Sequence, residues 1–186
     1  MVELQQLWLP ILLSTVFMFI ASAIIHMAPL WHKSDYPALP NQDKVQELLR
    51  PLNIPPGEYM LPRCESHADM KKPEFVEKLT KGPIMLMTVY PNGVPKMGAQ
   101  LVQWFIYGLV VSVFAAYISG RALAPGEHYL TVFRFAGTTA FLGYVMALWQ
   151  IAIWYKRSIS VTIKDSFDGL IYALLTAGVF GWLWPR

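Results

Sequence analysis

The sequence predicts an all-α membrane fold: a four-helix transmembrane bundle with a small α/β module inserted between its first and second helices. Three observations carry that prediction. Of 186 residues, 55% are hydrophobic and only 15% charged, against roughly a quarter charged in ordinary soluble domains. The apolar residues gather into runs that approach or exceed the ~20 residues a helix needs to cross the hydrocarbon. Between the first two runs lies a polar, patterned stretch too long for a bare loop.

The first span occupies residues 1–28, its apolar part running from Leu7 to Met27 without a formal charge. Ala21-Ser22-Ala23 mimics a signal cleavage site, but Glu3 is the only charge before the run and no Lys or Arg precedes it. The apolar run also continues past that site, so an uncleaved anchor is expected. The second span is Ala99–Gly120, between Lys96 and Arg121. The third is Phe135–Tyr155, between Arg134 and the Lys156–Arg157 pair. The fourth, about 167–184, is the shortest. It follows Asp165, contains Asp168 ahead of its apolar part from Gly169, and ends on Trp182 and Trp184, suited to an aromatic belt at the interface.

Residues 29–98 form the expected α/β module. Asn41 is placed to cap a helix that runs to about Arg50 and stops at Pro51. A second helix begins at Pro73 and ends at Gly82. Strands are expected at Glu58–Leu61 and Ile84–Tyr90, with turns at Pro55-Pro56-Gly57 and Pro91-Asn92-Gly93. A unit this small has little core and needs support from the bundle, the headgroups or a partner.

Lys and Arg set the orientation. Arg121, Arg134 and Arg186 share a side with both termini. The other side holds Lys33, Lys44, Lys81 and Lys96 near the spans, plus Lys156, Arg157 and Lys164. The richer side faces the cytoplasm, so both termini are expected outside and residues 29–98 inside. The basic residues form no dense block, and no nucleic acid is expected as a partner.

In lipid, helices associate through small residues that let backbones approach. Gly108, Ser112, Ala116 and Gly120 recur every fourth position in the second span. Gly169, Ala173, Ala177 and Gly181 do so in the fourth, and Thr139, Gly143 and Ala147 in the third. Such stripes serve either packing within the bundle or a face for a second copy. The expected surroundings are therefore the lipid bilayer and either a membrane-protein partner or a homo-oligomer.

Two groups carry metal-ligand chemistry: His26, Met27 and His32 near the end of the first span, and Cys64, His67 and Met70, spaced by three. Imidazole with soft sulfur suits zinc or copper(I). Against that, Cys64–His67 lacks a second pair and its turn looks exposed, and interfacial histidines reaching to the headgroups with a chance Cys-His pair are the expected reading. Charges inside the spans are nearly absent. Asp165 and Asp168 read as partners of the fourth helix's dipole, Gln100, Gln103 and Gln150 as interfacial anchors, and Arg134 as a partner for Glu127. No phosphate loop, nucleophile elbow or haem-attachment motif is found, so neither an enzyme nor a bound cofactor is expected.

His26-Met-Ala-Pro-Leu-Trp-His-Lys-Ser-Asp-Tyr36, Pro-Pro-Gly-Glu-Tyr at 55–59, Asp-Gly-Leu-Ile-Tyr-Ala-Leu-Leu-Thr-Ala-Gly at 168–178 and Gly-Trp-Leu-Trp-Pro at 181–185 resemble an uncharacterised family of small bacterial inner-membrane proteins. The resemblance implies that setting and brings no catalytic or binding residue with it. Function is then expected to be that of an accessory, assembly or interaction protein of a membrane complex. The alternative is a small transporter or metal-handling protein.

Overall fold

A computed structural model describes residues 1–27 and 31–186; the expected boundary at 28/29 lies outside the described residues. In chain order the elements are α1 (Trp8–Met27), α2 (Gln42–Leu49), β1 (Gly57–Leu61), α3 (Pro73–Lys81), β2 (Met85–Val89), α4 (Gly98–Ala122), α5 (Tyr129–Phe141), a π-helical turn (Leu142–Met146), α6 (Ala147–Tyr155) and α7 (Ile159–Trp182). The chain is 67% helical. It divides into two compact units, Met1–Pro37 with Lys96–Arg186, and Ala38–Pro95.

The larger unit is the helical bundle. Three of its helices are long and apolar enough to cross a membrane: Leu4–Met27, Gly98–Ala122 and the continuous Tyr129–Tyr155. The third begins six residues earlier than expected, because His128 Nδ1 accepts the Leu130 amide at 3.2 Å and caps the helix there. The fourth helix is longer than expected. It starts at Ile159 and has 24 residues, about 36 Å. Lys164, Asp165 and Asp168 fall within its first half, and it is not among the helices apolar enough to qualify as spans.

Small residues decide where these helices touch. A Cβ on Gly120 would come within 2.6 Å of the Val2 carbonyl oxygen, and one on Gly169 within 2.6 Å of Val145 Cγ2. Gly108 similarly accommodates Met18, Gly143 sits against Val111, and Gly181 receives the Tyr129 ring. Ser112 is buried and accepts the Ser14 hydroxyl at 3.1 Å, while Ala116, Ala173 and Ala177 are buried among neighbouring helices. Ala147 departs from the expected stripe and is exposed. The π-helical turn inserts residues at a wider pitch just before it, so the face carrying Gly143 does not continue to position 147.

One end of the bundle gathers both termini. The Val2 amide donates to the Gly120 carbonyl at 2.8 Å, the Gly126 amide to Pro185 at 2.8 Å, and Trp184 Nε1–H to Ala124 at 2.9 Å. Leu7, Val132, Ala136 and Phe180 are fully buried behind these contacts. The turn itself needs Gly126, whose φ is +75°.

The smaller unit pairs β1 with β2 antiparallel, Gly57 opposite Val89 and Leu61 opposite Met85. Val45, Tyr59, Phe75, Leu79 and Met87 are half-buried, and no residue of 38–95 is fully buried. Asn41 occupies the N-cap position of α2 with left-handed backbone (φ 54°), but its side chain makes no capping bond. Pro73 opens α3 at its first turn, and Gly82 follows its last residue.

Candidate functional site

At the end of the bundle away from the termini, a cleft of about 970 Å³ opens between the helices. The first helix contributes Ser22, Ala23 and His26, α4 contributes Gln100, Gln103, Trp104 and Tyr107, and α7 contributes Asp165, Asp168, Gly169 and Tyr172. Tyr144 of the π-helical turn and Arg157 complete the polar lining. Most of the wall is apolar, and into it project His26, Arg157, Asp165 and Asp168, ionisable groups of the kind that mark functional positions in a membrane protein.

The electrostatic centre is His32. Its Nδ1–H donates to Asp35 Oδ2 at 2.5 Å, and its Nε2 lies 2.8 Å from Asp168 Oδ2. Lys164 Nζ donates to Asp35 Oδ1 at 2.6 Å, to the Trp31 carbonyl at 2.8 Å and to Ser34 Oγ at 3.0 Å. Beside this chain, Arg157 pairs with Asp165 at 2.7 Å. Three carboxylates thus face two permanent cations, leaving one negative charge for a proton on His32, or another cation, to offset. Burial opposes charging His32, but its hydrogen bonds and its attraction to Asp35 and Asp168 prevail and raise its pKa above the ordinary imidazole value. Burial likewise opposes ionisation of Asp35, yet Lys164 and His32 outweigh it and hold that carboxyl below its usual range.

Asp168 is 3% exposed, and its Oδ1 has no hydrogen-bond partner among the described residues. The same is true of the Tyr144 and Tyr172 hydroxyls. Buried polar groups are ordinarily satisfied, so three orphaned oxygens on residues lining one cleft call for an explanation. The rest of the wall is ordered by aromatic packing. Trp104 stacks on Tyr107 with ring centroids 5.5 Å apart and donates Nε1–H to Ser22 Oγ at 3.0 Å. Tyr107 donates its hydroxyl to the Gly143 carbonyl at 2.6 Å, within the π-helical turn. Gly169 lets α7 approach that same turn, placing Asp168 and Tyr172 on the cleft.

Of the expected ligands, the structure brings His26 and His32 together, their rings nearly parallel with centroids 4.7 Å apart. Met27 lines the same cleft. Cys64, His67 and Met70 lie in the other unit. There, among the described residues, no group of three His, Cys, Asp or Glu ligand atoms gathers around Cys64 or His67.

Two expectations are corrected and a third is extended. Asp165 and Asp168 do not sit at the start of their helix: Asp168 lies about 14 Å along it, beyond the first-turn reach of the dipole. Gln100 and Gln103 line the cleft as well as lying near a helix end. Arg134 forms no ion pair among the described residues, and Glu127 instead accepts the His128 amide at 3.2 Å.

Asp35, Arg157, Lys164, Trp104, Tyr107, Tyr144 and Tyr172 carry no metal or catalytic motif and were not singled out as site residues. A signal was present for α7. Val161, Asp168 and Tyr172 continue the inward face of Gly169, Ala173 and Ala177, which places an acid on the packing side of the helix. No protein-family model, curated protein or solved structure matches this chain.

Proposed function

We propose that this is a small multi-pass membrane protein that takes a polar or charged ligand into the cleft, in the class of small transporters and ligand-handling proteins. The carrying observation is Asp168: a buried carboxylate with one oxygen unpartnered among the described residues, on the wall of a 970 Å³ cleft. In this reading α7 is the fourth span. Its charged first half is neutralised by Asp35, His32 and Arg157, and the residues just after its last turn, Trp184 and Pro185, bond to the termini end. Lys33, Lys156, Arg157 and Lys164 lie toward the cleft end, which supports reading that end as the cytoplasmic face of a bacterial inner membrane with both termini outside.

Water access tests the reading. In a Cys64→Ser background, Ala23→Cys lines the cleft, whereas Val110→Cys stands on an outward face that is 46% exposed. A charged, membrane-impermeant maleimide should label Ala23→Cys from the cytoplasmic side of vesicles only and leave Val110→Cys unreacted. Equal inertness at both positions sinks the proposal.

A second reading, an accessory or interaction protein, is favoured by the smaller unit. Leu48, Leu52, Ile84, Leu86, Tyr90 and Val94 are each more than half exposed there, a density of apolar surface that suits a partner. Purification in mild detergent should then retain a stoichiometric second protein, and substituting Leu86 and Tyr90 with Ser should release it.

A further inference from the structure

We infer that the cleft end holds a divalent transition-metal site formed by His26, His32 and Asp168, with zinc its natural probe. The inference rests on the cleft reading above and names the ligand class. Ligand atoms of these three residues lie within 4.8 Å of one another, and the donor set of two imidazoles and one carboxylate is the kind that leaves a coordination position open for water or cargo.

The groups behind the two histidines also suit a metal. A metal-bound histidine ordinarily donates its other ring N–H to a carboxylate or a backbone carbonyl, which fixes the tautomer and aims the lone pair. Both histidines do so. His26 Nδ1 lies 3.0 Å from the Ser22 carbonyl, which can only accept, so that nitrogen carries the proton and Nε2 is the free donor atom. His32 Nδ1–H is held by Asp35, which Lys164 anchors in turn, so Nε2 points at Asp168.

Asp168 supplies the independent observation. It is 3% exposed, and Oδ1 has no partner among the described residues. A carboxylate that needed only His32 would leave that oxygen buried at a cost; a cation in the cleft gives it a partner. The cation replaces the proton between His32 and Asp168, and its two charges exceed by one the single negative charge left by three acids and two bases. One adjustment is required. The imidazoles are nearly parallel, with planes 11° apart, so both lone pairs converge only if a ring tilts. His26 is exposed and free to do so.

The test uses the full chain in detergent, stripped with chelator and dialysed to equilibrium against zinc, with bound metal read by mass spectrometry. Wild type should hold one zinc per chain, and Cys64→Ser/His67→Ala should hold the same. His32→Ala and Asp168→Asn should fall to background. His26→Ala, at an exposed position and so a variant that keeps its fold, should lose affinity. Asp35→Asn, which touches no metal, should weaken binding by about 10–100-fold. Cobalt gives a second readout: visible bands of a nitrogen–oxygen site, without thiolate charge transfer. Absence of zinc from wild type, undiminished zinc in His26→Ala and His32→Ala, or a thiolate band tracing the metal to Cys64 each overturn the inference. Ala23→Cys labelling on stripped protein separates the two failures. A wet cleft without zinc defeats only this inference, and a sealed cleft defeats the reading beneath it.

Discussion

The two ends of the bundle are built from different interactions. The end holding the termini is closed by bonds to backbone carbonyls: the Val2 amide to Gly120, the Gly126 amide to Pro185, and the Trp184 indole to Ala124. Behind these bonds the side chains are apolar and fully buried. The opposite end is held by side-chain charge, through Lys164, Asp35, His32 and Asp168, and beside it stands the cleft with its unpartnered oxygens. Backbone bonds at a helix turn satisfy groups that must be satisfied in any case. Charges brought together in a bundle are costly unless each keeps its partner. The first arrangement secures the fold, whereas the second keeps a fixed set of polar atoms available to a ligand.

The most direct way to break this contrast is to remove one charge. Lys164→Met leaves Asp35, whose side chain is 5% exposed, without its permanent cation and with His32 as its one remaining charged partner. Removing one partner of a buried pair costs about 3–5 kcal/mol, and the 22% exposure of Lys164 argues for the lower end, about 3 kcal/mol. Denaturant unfolding in detergent micelles measures it. Asp35→Asn in the same chain should recover a large part of the loss, because the orphaned charge is gone. A loss below about 0.5 kcal/mol, the range of an exposed pair, means that this end is ordinary wet surface and the comparison fails.

At the closed end the largest probe is Phe180→Ala, since Phe180 is fully buried between the terminal segments. With α7 as a fourth span, as proposed above, the transfer term nearly vanishes, because lipid is as apolar as the core. What remains is the cavity, which at ~24 cal/mol per Å³ over about 100 Å³ gives about 2 kcal/mol. The same unfolding assay should show that loss with zinc retention unchanged. A variant that unfolds less readily than Lys164→Met yet loses the cleft's thiol labelling would show that the ends are coupled. Gly169→Ala tests the junction between them. Its Cβ would meet Val145 and Tyr144 at 2.6 and 3.3 Å, so α7 must shift, at about 1–3 kcal/mol. Because Asp168 moves with the helix, this variant should lose zinc affinity in proportion.

What was legible in the sequence follows the same division. Three long apolar runs announce their helices, because continuous hydrophobicity over a membrane thickness has few other meanings. The stripes of small residues in α4 and α7 give the packing faces, since close approach needs missing side chains whatever the partner. The Cys64–His67 pair and the His26–His32 pair looked alike in one dimension. Only His26 and His32 gain a carboxylate, because Asp168 is brought to them across 136 residues of chain. Local charge reading assigned Asp168 to a helix start, and it erred because Ser158–Lys164 showed no apolar continuity that would extend α7 backward. The π-helical turn was invisible for a related reason. Leu142–Met146 has ordinary helical composition, and its altered pitch comes from what packs on it.

The smallest effect concerns that turn. Tyr107 donates its hydroxyl to the Gly143 carbonyl at 2.6 Å, and Tyr107→Phe removes the bond while keeping the ring stacked on Trp104. In a wider-pitched turn the carbonyl lacks the regular α-helical donor. Hydrogen bonds between membrane helices average about 0.6 kcal/mol, so the expected loss is about 0.5–1 kcal/mol, near the limit of an unfolding measurement. Amide hydrogen exchange resolves it better: residues 142–146 should exchange a few-fold faster in Tyr107→Phe, with α4 unchanged. If exchange there is unaltered, the wide turn is held by its own sequence and by Gly169 alone, and the tyrosine belongs to the cleft as a ligand-facing hydroxyl. If exchange quickens and zinc binding weakens together, the π-helical turn is the element through which the aromatic wall holds α7, and with it Asp168, in place.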